Sequence, residues 1–73
     1  MKETLDLKTV TDEVEREIIK LVHKKGKCMM GDILMHLKLS YQKGKQYVSS
    51  LESKEVLTNR EQAPFYTLKV DLS

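Results

Sequence analysis

The chain has 73 residues, 40% of them hydrophobic and 33% charged, with a formal net charge of +2. A chain of this length hides only about 60% of the surface its unfolded form exposes, which excludes a large core and a deep catalytic cleft with its own supporting shell, so the expectation is one small binding domain and not an enzyme. No apolar run approaches the ~20 residues of a membrane span, Met1 to Thr4 opens no signal-peptide hydrophobic region, and the single Cys28 leaves no intrachain disulfide, so a cytoplasmic location without membrane contact is expected.

Residues 1–10 carry Leu5, Leu7 and Val10 among polar neighbours without a helical period, and read as an extended N-terminal arm ahead of a domain spanning 11–73. The first helix is predicted over Thr11 to Lys25. Thr11 can cap it, Asp12 and Glu13 suit its positive end, His23, Lys24 and Lys25 suit its negative end, and Gly26 stops it. Val14, Ile18, Leu21 and Val22 form its apolar stripe, with Ile19 on the margin. Lys27-Cys28-Met29 is too short for a helix and reads as a brief strand. Gly31-Asp32 then opens a second helix with Ile33, Leu34 and Leu37 facing inward, and Leu39 plugs the turn that follows.

Ser40 is positioned to cap a third helix over S-Y-Q-K-G-K-Q-Y-V-S-S-L. Gly44, Tyr47, Val48 and Leu51 recur at spacings of three and four, the mark of an inward face. Gly44 inside a helix costs about 1 kcal/mol relative to alanine, which close approach of the preceding helix would explain. After Leu51 the pattern changes to strands: Val56 to Arg60 and Phe65 to Val70 flank Glu61 to Pro64, a predicted hairpin. Alternation places Tyr66, Leu68 and Val70 on one face and Phe65, Thr67 and Lys69 on the other, with Leu57, Leu68 and Val70 expected to face the core.

Charge is unevenly spread. Residues 1–19 hold three bases against six acids, residues 20–54 hold eight lysines against Asp32 and Glu52, and residues 55–73 hold two bases against three acids. A basic middle region is the electrostatic footprint of a phosphate-binding surface. On the third helix, Lys43 and Lys45 can neutralise phosphates or donate to guanine, and Gln46 can bond an adenine edge in two places. Gln42 and Ser49 flank them, and Asn59 and Arg60 lie near the hairpin tip. Together these seven residues are the expected DNA-binding set.

Helix, short strand, helix, turn, basic helix and hairpin in this order resembles the winged helix-turn-helix superfamily over about residues 10–71. D-I-L-M-H-L-K-L-S (32–40) is similar to the family's second helix and turn, and L-E-S-K-E-V-L (51–57) to the exit of its third helix, although many members have glycine where this chain has Glu55. The resemblance implies an α+β winged helix fold that binds double-stranded DNA, with the third helix in the major groove and the hairpin wing on the adjacent backbone, in a small transcriptional regulator or accessory DNA-binding protein. A-P-F-Y-T-L-K-V (63–70) further resembles the wing of Z-DNA-binding (Z-alpha) domains, with Pro64 and Tyr66 on the family's proline and tryptophan. Lys45 and Ser49 stand where that subfamily has asparagine and tyrosine, and Ser49 offers no ring, so ordinary B-form DNA is the expected ligand.

His23, His36 and Cys28 match no zinc spacing, no glycine-rich phosphate loop is present, and no metal or small-molecule cofactor is expected. Leu5, Leu7, Val10 and Leu72 exceed what a small core requires, which suggests a homodimer formed through the arm, the alternative being an arm that pairs at a sheet edge or folds back on its own domain. The alternative function is a winged helix that binds another protein, with Met29, Met30 and Met35 and the N-terminal arm as the contact surface.

Overall fold

The computed structural model describes residues 3–73; the first two residues of the expected arm lie outside them. Strand β1 (Glu3–Leu5) and a 3-10 turn (Leu7–Thr9) lead into helices α1 (Glu13–Lys25), α2 (Met30–Leu37) and α3 (Tyr41–Ser53). Strands β2 (Leu57–Thr58), β3 (Thr67–Leu68) and β4 (Val70–Leu72) follow. The fold is α+β, three helices and then a short antiparallel hairpin, an architecture compatible with a winged helix.

Helix α1 begins later than its sequence suggests. Asp12 is the N-cap, not Thr11: its carboxylate accepts from the amides of Val14 and Glu15 at 2.8 and 3.1 Å and, unlike a hydroxyl, adds negative charge at the positive end of the helix. Gly26 closes the helix with φ 83, where its amide donates to the Val22 carbonyl at 2.7 Å. Ile18, Ile19 and Val22 are fully buried. Ile19 is central and not marginal because α1 is covered on two sides, by the other helices and by β3. Glu15 is also buried, and its carboxylate meets the Lys54 ammonium at 2.8 Å.

The expected strand between α1 and α2 is reduced to one residue. Cys28 exchanges both backbone hydrogen bonds with Tyr66, at 3.0 and 2.7 Å, and so fastens the hairpin to the helical body. Helix α2 starts at Met30, where the Asp32 carboxylate accepts from the Met29 amide at 3.1 Å. Ile33 is buried, while Leu34, Leu37 and the turn residue Leu39 are half-buried. Ser40 caps α3 as expected, its hydroxyl accepting from the Lys43 amide at 3.2 Å. Gly44, Val48 and Leu51 face inward and are buried, with Tyr47 half-buried beside them. Past the helix, Glu55 takes φ 64, a left-handed conformation, and the Val56 amide returns to the Leu51 carbonyl at 2.9 Å.

The hairpin is shorter than its sequence suggests, pairing Leu57 with Leu68 and Thr58 with Thr67. Leu57 and Val70 are buried as expected and Leu68 is half-buried. Thr67, expected on the outer face, is buried because α1 packs across β3. Val70 to Leu72 leaves the hairpin and pairs in parallel with β1, in the register Glu3 to Val70, Thr4 to Asp71 and Leu5 to Leu72. The described part of the arm therefore lies against its own domain. Leu5, Leu7, Val10 and Leu72 all pack against the core, so the apolar residues that suggested a dimer arm are used within one copy. Among the described residues no helix is long and apolar enough to cross a membrane.

Candidate nucleic-acid interface

One cap and one close helix contact fix the orientation of α3. The Ser40 cap sets where the helix starts, and the absence of a side chain at Gly44 lets α2 lie against it: a Cβ there would overlap the Leu34 Cδ2 methyl and sit 3.4 Å from its Cγ. With Gly44, Val48 and Leu51 committed inward, the opposite face is set by helical geometry. At about 100° per residue, Gln42, Gln46 and Ser49 fall within about 60° of one another at the centre of the outward face, with Lys45 on one flank and Lys43 on the other. All five side chains are exposed. The two lysines thus border a central strip of hydrogen-bonding groups, and none of these positions carries a carboxylate.

Among the described residues Lys20, Lys54 and Lys69 are engaged in ion pairs, with Glu17, Glu15 and Glu55 respectively; Lys43 and Lys45 are in none. The Lys45 ammonium lies 5.9 Å from the centre of the Tyr41 ring, one turn earlier on the same side of α3. The hairpin packs against α3 through β2. Burial pushes the Tyr66 phenol above its ordinary range, and the nearby Glu52 carboxylate and Tyr41 phenol push it further. Tyr66 itself is half-buried, packed against the hydrophobic core and bridged through its backbone to Cys28. Its sequence signals were strand alternation and its place on the tryptophan of the Z-alpha wing; neither gives the backbone bridge to Cys28 that fastens this part of the hairpin to the helical body.

The hairpin residues divide. Arg60 is exposed and Asn59 half-buried; the Arg60 amide donates to the Thr58 hydroxyl at 3.2 Å, which opens the loop. The Arg60 side chain borders a small hollow of about 140 Å³ with Glu52, Glu55 and Lys69, beyond the C-terminal half of α3. A hydrogen bond from Lys69, followed by the charges of Lys69 and Arg60, holds the Glu55 carboxyl below its usual range. The structure thus brings Gln42, Lys43, Lys45, Gln46 and Ser49 together on one face and sets Arg60 among carboxylates at its far end. At the tip, Pro64 is exposed and follows a cis peptide bond from Ala63. Phe65 is half-buried, with the Lys27 ammonium 4.6 Å from its ring centre.

Searches against protein-family models, curated proteins and solved structures find no match. Among the described residues no group of three His, Cys, Asp or Glu side chains is placed to hold a metal ion, and Cys28 is buried, its thiol pushed up first by burial and then by Asp32.

Proposed function

We propose that the domain is a winged helix-turn-helix module that binds double-stranded DNA through α3 and the hairpin, as a small transcriptional regulator or accessory DNA-binding protein. The observation that carries this reading is the outward face of α3, where Gln42, Gln46 and Ser49 are exposed between two lysines that have no acidic partner among the described residues. Such a face has the chemistry of a groove reader: flanking cations for the two phosphate strands and amides for base edges between them. The capped start of α3 after a short turn, and the hairpin that follows, support the winged arrangement.

The test is anisotropy of labelled random-sequence B-form duplexes at two salt concentrations. Sequence-independent binding in the range of about 1 to 100 μM that weakens as salt rises is expected. No binding at low salt ends the proposal. A homodimer remains part of the proposal on footprint alone, since one module covers only about 600 to 1,000 Å²; sedimentation equilibrium on and off DNA measures it. A second reading, protein binding, draws on Met35 and Met29, which are 80% and 43% exposed. A duplex screen that fails while the Met35 surface is protected from oxidation by a bound protein would favour it.

A further inference from the structure

A hollow of about 260 Å³ lies between the C-terminal end of α1, the hairpin loop and β4. No residue of the α3 face lines it, so it is separate from the candidate interface. Its rim is acidic although the chain carries a net charge of +2: Glu61 and Asp71 line it, both are exposed, and neither is in an ion pair among the described residues. Among the described residues no lysine or arginine lines it. Deeper in, Val22 and Val70 are buried and supply an apolar floor. Thr67, which also lines the hollow, is 7% exposed, and its hydroxyl is buried without a hydrogen-bond partner. A buried hydroxyl in that state is uncommon, because nothing offsets the loss of its contact with water.

We propose that this hollow binds a short aliphatic diamine, a molecule with two ammonium groups joined by a few methylenes. The volume suits such a ligand: it is below the roughly 300 to 1,000 Å³ of sites for drug-sized molecules and several times the ~30 Å³ share of one water. The carboxylates select a cation. A metal ion does not fit, because His23, Glu61 and Asp71 all line the hollow and yet no three such side chains among the described residues are placed to hold one ion. Acids set apart around one space match two charges set apart on one molecule. The methylenes between those charges cover the apolar floor. Each ammonium has three N–H donors, enough to serve a carboxylate and the unpartnered Thr67 hydroxyl together. The site does not depend on whether α3 binds DNA.

The test is an amide NMR titration of the isotope-labelled full chain with diaminobutane, with aminobutane and with magnesium chloride, at fixed pH and ionic strength. Diaminobutane should shift the Gly26, Thr67 and Asp71 amides along a saturating curve with a Kd of about 1 mM or tighter. Aminobutane, which keeps the methylenes but has one charge, should bind at least about fivefold more weakly, and so should magnesium, which has both charges at one point. Glu61→Gln and Asp71→Asn, both at exposed positions, should each weaken the diamine about fivefold. Thr67→Val removes the hydroxyl at nearly constant shape; it should also weaken the diamine, and without lowering the urea midpoint, since the hydroxyl it removes has no partner in the free protein. Shifts that do not saturate overturn the inference. So does aminobutane or magnesium that binds as tightly as the diamine, or parent-like affinity in any of the three variants.

Discussion

Gly44 and Leu34 occupy one space: the Leu34 Cδ2 methyl fills the volume that a Cβ on Gly44 would need. The glycine is thus a packing device, and its cost to α3 is offset by the closeness of α2. Gly44→Ala should destabilise the domain by about 1 to 2 kcal/mol, because displacement of the leucine outweighs the helical preference for alanine. In a Leu34→Ala background the same change should reverse sign and stabilise by about 1 kcal/mol. Urea midpoints of the four proteins decide it, and a stabilising Gly44→Ala in the parent sequence would refute the packing account.

The turn after α3 carries a second backbone test. Glu55 sits at φ 64, where a residue with a Cβ is strained and glycine is not. Glu55→Gly and Glu55→Ala both lose the exposed pair with Lys69, so their difference isolates the backbone. The glycine variant should melt about 4 to 8 °C above the alanine variant. Equal melting temperatures would mean the turn relaxes freely.

Leu51 is 1% exposed, inside the contact of α3 with α1 and β2. Leu51→Ala should cost about 2 to 5 kcal/mol, a large share of a small domain's stability. A loss below about 1 kcal/mol in urea unfolding would contradict the packing described.

On the nucleic-acid side, replacing Lys43 and Lys45 together with alanine should weaken duplex binding and flatten the slope of log affinity against log salt by about two units. An unchanged slope would remove both lysines from the phosphate contacts. Gln46→Ala should mainly relax sequence preference; if it weakens all duplexes equally, Gln46 does not read bases.

Stability should fall on the alkaline side. Burial raises both the Cys28 thiol and the Tyr66 phenol in the folded state. Below the ordinary values, about 8.5 for cysteine and 10 for tyrosine, both groups are protonated in the folded and unfolded chain alike and their contribution is intact. As pH rises through and beyond those values the unfolded chain releases its protons first, so folding is progressively disfavoured. The urea midpoint should decline between pH 8 and 11, and less steeply in Tyr66→Phe. A midpoint that holds or climbs over that range would contradict the directions given.

The helices were legible because their signals are local. The stripes Ile18, Leu21, Val22 and Gly44, Val48, Leu51 repeat within one element, and Ser40 and Gly26 mark ends that involve only their neighbours. Thr11 and Asp12 can both cap, and which one does depends on where the 3-10 turn delivers the chain. What could not be read depends on distant partners. Thr67 is buried by α1, and Val70 to Leu72 is drawn from the hairpin by β1. The outward face of α3 was legible as soon as its inward face was, whereas the bridge of Tyr66 to Cys28 joins residues far apart in the chain and leaves no local signal.

The parallel pairing of β1 with β4 also fixes how the domain responds to pulling. A load applied through Glu3 and Ser73 draws β1 backwards and β4 forwards along their own lengths. The hydrogen bonds of the pair, including that from the Ser73 amide to the Leu5 carbonyl at 3.0 Å, are then strained together in shear instead of opening one after another as in a hairpin pulled from its ends. Tension carried from one flanking segment to the other would therefore meet its first resistance at this three-residue seam, before it reached the helices that support α3.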